Sequence, residues 1–420
     1  LADFRSTLTD GEQERIVRAE KFMAAKTARG YFTGLSRNTF LLALSSLFAD
    51  ISTEMIVPIL PIFLTQTLKV SASMLGLVEG IAGATQNITQ GLSGTLSDRL
   101  HKRKPIALVG YFLAAIGKPL MGFASIWQGV LGGRLLDRFG AGMRSAPRDA
   151  LIASSVDEAH RGKAFGLEGV GDNAGACLGP LLAVLLLIVW QLPIRLIFYL
   201  AVIPGLIAFL MVVFVQERSI KVTAKTKIDI GVENFPKAYW KYLLATALFG
   251  IGNSSNAFLI LETKDIGASL TATILIYAGF NMVAALISYP AGYLSDRLGR
   301  RNLLIVSITI FLITYLGFAL TRAVAFIGVL FLFYGLYQGI IRSVGKALAS
   351  DYVSDSLRAS AIGWYNATIG VTGFAASLLG GWLWDHVGHA AVFVFGAAFA
   401  AVGIVASLAL IPAGQMRRQP

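Results

Sequence analysis

Twelve apolar runs of roughly 18 to 25 residues recur along this 420-residue chain, each long enough to cross about 30 Å of hydrocarbon as a helix. In lipid the backbone must satisfy its own hydrogen bonds, so such runs fold as α-helices. The pattern predicts spans at about 40–64, 73–97, 105–126, 127–150, 163–190 and 194–215, then at 242–261, 270–295, 303–321, 323–349, 360–384 and 390–411. Hydrophobic residues fill 55% of positions and charged residues 14%, with a mean hydropathy of +0.67. A water-soluble fold has no way to bury that much apolar surface. The two sets of six are separated by a polar stretch, Gln216 to Lys241, with six basic residues. The expected fold is an all-α membrane protein with twelve transmembrane helices in two six-helix bundles. Its parts are an N-terminal segment at 1–39, bundles at 40–215 and 242–411, a linker at 216–241 and a tail at 412–420.

A net charge of +12 would suit nucleic-acid binding, but the Lys and Arg residues flank spans rather than gather on a soluble module, so no nucleic-acid partner is expected. Loops on one side collect eighteen Lys and Arg residues, against Lys69, Arg195, Lys264 and Arg322 on the other. The positive-inside bias therefore puts the linker and both termini in the cytoplasm. Residues 1–39 lack a signal-peptide core, and Thr9-Asp10-Gly11-Glu12 offers a capping box for a short charged helix on the membrane surface. Position 1 is Leu, so the natural start is expected to be missing or processed. The single cysteine, Cys177, falls inside a span, and His101, His160, His386 and His389 fall at loops or span ends. No disulfide, metal site or cofactor is expected, and without a P-loop pattern direct use of ATP is not expected either.

The segment Gly94-Thr-Leu-Ser-Asp-Arg-Leu-His-Lys-Arg103 returns as Gly292-Tyr-Leu-Ser-Asp-Arg-Leu-Gly-Arg-Arg301, with Asp98 and Asp296 198 positions apart. The same offset links Arg144 to Arg342 and Arg148 to Lys346, and an offset of 197 links Arg161 to Arg358 and Gly166 to Gly363. Two homologous halves follow. Here the chain resembles the major facilitator superfamily, whose G-x-L-x-D-R-x-G-R-[KR] signature lies in the cytoplasmic turns after the second and eighth helices. The first copy has His101 where the family usually carries Gly. The resemblance spans all twelve helices and implies a functional monomer whose two bundles rock about a central site. It also implies a conformational gate in which Asp98 and Asp296 pair with helix ends and with cations drawn from Arg99, Arg103, Arg144, Arg148, Arg297, Arg301 and Arg342.

Ionisable residues inside hydrocarbon are costly, which makes function their default reading. Asp50 and Glu54, Glu168 and Asp172, Arg134 and Arg138, and Arg144 and Arg148 are each four apart, so each pair shares a helix face. Asp50 and Glu54 sit mid-span ahead of Pro58 and Pro61, which loosen the rest of that helix. Two carboxylates one turn apart in low dielectric resist double ionisation, as a proton carrier requires. Glu54 is the first candidate for proton coupling, with Asp50 as its modulator and Asp172 and Glu79 as further carboxylates; a salt-bridged structural pair with Lys118 or Arg134 is the alternative. Glu168 is expected to neutralise Arg144 or Arg148. Arg138-Phe-Gly-Ala-Gly142 resembles a loose R-x-x-Q-G pattern of the family, so Arg138 or its neighbour Arg134 is expected to switch a carboxylate during the cycle. Lys118 is a candidate contact for an anionic substrate.

Gly166, Gly175 and Gly179-Pro180 resemble the motif of proton-coupled antiporters, although Ala183 and Val184 replace its terminal glycine pair. The second half offers polar and aromatic candidates for a solute cavity: Asn253, Asn256, Tyr277, Asn281, Tyr337, Gln338 and Asn366, with Tyr334, Trp364 and Tyr365 beside them. The resulting expectation is a secondary transporter, not an enzyme, that exports drug-like compounds or a metal chelator across a bacterial inner membrane on the proton gradient. Its partners are protons, a small-molecule substrate and the bilayer. Uptake or exchange of an anionic metabolite is the second transporter reading, encouraged by Lys118, Arg134, Arg138 and Arg342; a membrane-embedded enzyme or receptor is the rival class.

Overall fold

The computed structural model describes residues 34–100, 102–157, 160–217, 235–353 and 357–412, and the side chains of Asp98, Arg99, Arg161, Asp296, Arg297 and Arg358 lie outside that description. The expected surface helix near Thr9 and most of the linker also fall outside it. Among the described residues the elements are helices throughout. The first crossing is α1 (Arg37–Glu54), α2 (Leu60–Ile62) and a π-helical turn (Phe63–Thr67). It is followed by α3 (Ala72–Leu100), α4 (Arg103–Phe123), α5 (Trp127–Ser154) and α6 (Arg161–Ile188), and the sixth crossing is α7 (Ile194–Leu200) with α8 (Val202–Val213). The seventh is α9 (Lys237–Gly250) with α10 (Asn256–Asp265), and α11 (Leu270–Leu298), α12 (Arg300–Leu320), α13 (Val324–Asp351), α14 (Arg358–His386) and α15 (His389–Leu410) complete the twelve. Eight crossings are long and apolar enough to span on composition alone. The other four are the first, α3, α5 and the seventh, which carry charge or a break.

Ser36 opens α1 by accepting the amide of Thr39 at 3.2 Å, satisfying one of the donors a helix start leaves free. The helix stops at Glu54 because Pro58 and Pro61 lack the amide protons needed to continue its ladder. The seventh crossing breaks at residues 251–255, and Ser255 restarts it by accepting the amide of Ala257 at 3.2 Å. These interruptions are in register, since Glu54 and Gly252 stand 198 positions apart. Broken helices at matching places in two repeats are the best pointer to a transporter's binding region.

In the first half α1 packs on α6, α3 and α4 on α5, and α8 on both α1 and α4. Six crossings later the pairings return as α9 on α14, α11 and α12 on α13, and α15 on both α9 and α12. The halves meet chiefly along two seams, α3 against α14 and α6 against α11, with α10 also touching α2. Small residues allow the first: a β-carbon on Gly381 would lie 2.5 Å from the carbonyl oxygen of Ala72. At the end of this seam remote from the linker, the Asp385 carboxylate accepts the amides of Ala72 at 3.1 Å and Ser73 at 2.8 Å. One half thereby caps the α3 N-terminus of the other.

Candidate functional site

Glycines bring α4 and α5 into backbone contact, and that closeness assembles a charge cluster. A β-carbon on Gly140 would lie 2.5 Å from the Gly110 carbonyl oxygen, and one on Gly117 2.5 Å from that of Gly133. Across this interface Lys118 Nζ donates to Asp137 Oδ1 at 3.0 Å and to the Ala114 carbonyl at 2.9 Å. Arg138 Nε donates to Asp137 Oδ2 at 2.9 Å, and Arg134 Nη1 reaches the same oxygen at 3.4 Å. Arg134 also grips Glu79 of α3 with two parallel bonds, Nε to Oε1 at 3.0 Å and Nη2 to Oε2 at 3.1 Å. Arg138 Nη1 reaches Gln86 Oε1 at 3.0 Å. Buried charges persist only when paired, and here three cations share Asp137 and Glu79.

Two turns further along α5 a second set ties α5 to α1 and α6. Arg144 pairs with Asp50 at 3.6 Å and lies over the Tyr111 ring at 4.6 Å. Arg148 meets Glu168 at 2.8 Å, Asp172 at 3.5 Å and Asp149 at 3.0 Å, and donates to Ser46 Oγ at 2.8 Å. Gly175 and Gly179 let α6 approach these carboxylates: β-carbons there would lie 2.7 Å from Cβ of Asp50 and 2.8 Å from Cβ of Glu54. Gly166, the first glycine of the antiporter-like pattern, has open space around it.

Glu54 differs from all of these. Its Oε2 accepts the Tyr277 hydroxyl at 3.2 Å and Asn281 Nδ2 at 3.2 Å, both from α11 of the other half. Asn281 Nδ2 also donates to the Ala176 carbonyl of α6 at 3.1 Å. Asp50, Glu79, Asp137, Glu168 and Asp172 each stand within ion-pair distance of a cation. Among the described residues Glu54 is held by neutral donors, with no cation within ion-pair distance, at the end of a helix and across a seam.

The second half meets this site with aromatic rings and amides. Tyr334 donates to Asn256 Oδ1 at 2.8 Å, Asn253 Nδ2 donates to the Tyr337 hydroxyl at 2.9 Å, and Phe311 stacks on Tyr315 at 3.9 Å. Asn253 lies in the break of the seventh crossing and Asn256 opens α10, so hydrogen bonds tie this broken stretch to the tyrosines of α13.

The profile of the Major Facilitator Superfamily matches residues 42–249 and again 242–420. The chain belongs to the major facilitator superfamily. An uncharacterised transporter of this superfamily in Methanocaldococcus jannaschii is 33% identical over 374 residues, covering 88% of this chain and 93% of the relative. The multidrug resistance protein MdtG of Citrobacter koseri is 27% identical over 372 residues, covering 85% and 90%. Among solved structures, a D323A variant of the nucleoside transporter NupG superposes with a TM-score of 0.74 at 16% identity, covering 89% of this chain and all of that one. It supports the fold alone.

Within this facilitator, several residues singled out from sequence take up other positions than their spacing suggested. Lys118 is only 2% exposed, and its ammonium is occupied by Asp137 and Ala114, so it does not face a solute in this conformation. Arg134, the alternative partner for Asp50 and Glu54, is engaged by Glu79 and Asp137, while Asp50 pairs with Arg144 instead. Arg144 and Arg148, expected at the gate, are internal braces of the first half. At the linker side, Arg103 Nη1 reaches the Ala150 carbonyl at 3.4 Å, and the Arg103 backbone amide donates to Glu217 at 2.8 Å. Arg301 Nη2 reaches the Leu408 carbonyl at 2.7 Å, supporting the end of α15. Gln338 is half-buried and Asn366 buried. The gate aspartates Asp98 and Asp296, with Arg99 and Arg297, lie outside the described side chains.

Sequence reading missed Asp137, Gln86 and Asp385. Asp137 had a legible signal, an acid inside a span between Arg134 and Arg138, but a search for pairs four apart passes over it. Gln86 and Asp385 are recognised only through partners 52 and 312 positions away.

Proposed function

We propose that the chain exports small organic solutes, drug-like compounds or a metal chelator, in exchange for protons by alternating access, with Glu54 as the coupling carboxylate. One observation carries this reading: among the described residues, Glu54 is the half-buried carboxylate of the first half that has neutral donors and no cation within ion-pair distance, and those donors belong to the other half. A carboxylate clamped by a guanidinium cannot change charge without breaking an ion pair. Glu54 can. While charged, its two bonds to α11 are charge-assisted and roughly twice as strong as neutral ones. A proton on Glu54 weakens both, so protonation and the contact between halves are one event, and the seam loosens when the proton arrives. The likeness to MdtG relatives, whose name states multidrug resistance, supports export. The loop-charge bias supports cytoplasmic termini in a bacterial inner membrane.

Purified protein in proteoliposomes with an imposed pH gradient tests the reading. Glu54→Gln, which mimics the protonated form, is expected to abolish uphill flux of an effluxed dye while leaving downhill exchange measurable. Wild-type uphill flux by Glu54→Gln would overturn the assignment.

A further inference from the structure

The repeat places Arg342 and Lys346 of α13 where α5 carries Arg144 and Arg148, yet the two pairs live in opposite surroundings. Arg144 and Arg148 are neutralised by Asp50, Glu168 and Asp172. The matching positions of the second half are Leu248, Tyr365 and Ile369, so the carboxylates are missing there. Among the described residues, no ion pair or hydrogen bond involves the side chain of Arg342 or Lys346. Both are exposed although they lie within a crossing, Arg342 about 14 Å along α13 from Asp351.

Their exposure is toward the interior. On α5 the matching face turns toward α1 and α6 through Arg144 and Arg148, and on α13 the intervening Gly345 faces the Tyr365 ring of α14. The two cations therefore stand one turn apart on the α13 face that the repeat matches to the charge-bearing inner face of α5. In the first half Asp149 and Asp172 are both engaged by Arg148. An uncompensated guanidinium inside a membrane protein is costly unless water or an anion completes it, and its planar fork suits a carboxylate or phosphate.

We infer that Arg342 and Lys346 form an anion subsite that receives the carboxylate or phosphate group of the transported solute. This rests on the transport reading but not on the role of Glu54. It narrows the solute to an organic anion or zwitterion.

Thermal unfolding of the purified chain in detergent, titrated with benzoate, inorganic phosphate and the neutral isostere benzamide, tests the subsite without any gradient. Wild type is expected to be stabilised saturably by benzoate or phosphate and not by benzamide. Arg342→Gln should weaken the anion's apparent affinity about tenfold, Lys346→Gln should weaken it less, and Arg342→Lys should retain most of it. Glu54→Gln should bind the anion at least as tightly as wild type, so a failed flux experiment and a failed subsite are told apart. Absence of stabilisation by both anions, or equal affinity in wild type, Arg342→Gln and Lys346→Gln, would overturn the inference.

Discussion

The two halves of this transporter repeat one packing scheme and fill it with opposite chemistry. Lys118, Arg134, Asp137 and Arg138 of the first half correspond, 198 positions on, to Leu316, Leu332, Gly335 and Leu336. Glu79, which grips Arg134, corresponds to Tyr277, which holds Glu54. The first half is thus braced mid-span by ion pairs buried in pairs and threes; in the second, ion pairs such as Arg300 with Asp351 at 2.6 Å and Glu262 with His389 at 3.2 Å sit at crossing ends, and tyrosine hydroxyls, amides and ring contacts fill the middle. A charged bundle locks its own helices together, since opening it would expose unpaired charge to hydrocarbon. A neutral one rearranges at the cost of ordinary hydrogen bonds. On the proposed reading, the contact able to change during transport is the one between the two chemistries, where Glu54 meets Tyr277 and Asn281.

The largest expected effect tests the charged side. Asp137→Asn leaves Lys118, Arg134 and Arg138 with Glu79 as their remaining anion, and should destabilise the purified protein by on the order of 3–5 kcal/mol, read as a lowered midpoint of thermal unfolding. An unchanged midpoint would show that the ladder is not a brace. Glu79→Gln offers the sharper follow-up, because it removes the bidentate partner while leaving Asp137 in place.

A smaller effect is expected at the seam. Asp385→Ala removes the cap that α14 places on α3, worth about 1 kcal/mol, and so shifts the balance between closed and open seams by a factor of about five. Cys177 is the single cysteine, so Met74→Cys in a Cys177→Ala background reports opening by its rate of thiol labelling. Labelling that is equally fast with and without Asp385 would mean that the cap does not hold the seam.

The smallest effect belongs to the neutral side. Tyr337→Phe removes the hydroxyl that accepts from Asn253 and keeps the ring, so its cost should be about 0.5–1.5 kcal/mol. A loss as large as that of Asp137→Asn, in the same unfolding assay, would erase the distinction between the halves.

The twelve spans, the two-fold repeat and the pairing of acids and bases on common helix faces were legible in the sequence, because hydrophobic length, internal offset and a four-residue period are properties of one strand of text. The break after Glu54 was legible too, through Pro58 and Pro61. Partner choice was not. Asp50 and Glu54 share a face, yet Arg144 takes the first and Tyr277 with Asn281 the second, because α5 and α11 approach α1 at different heights. Lys118 reads as a free cation until α4 closes on α5 through Gly117 and Gly133, and Asp385 reads as a loop acid until α14 lies along α3. The sequence alone determined which residues are expensive to bury; only the packing of helices far apart in the chain decided which neighbour compensates each one, since ion pairs and hydrogen bonds form over 3 to 4 Å, a range that spacing along the chain does not specify.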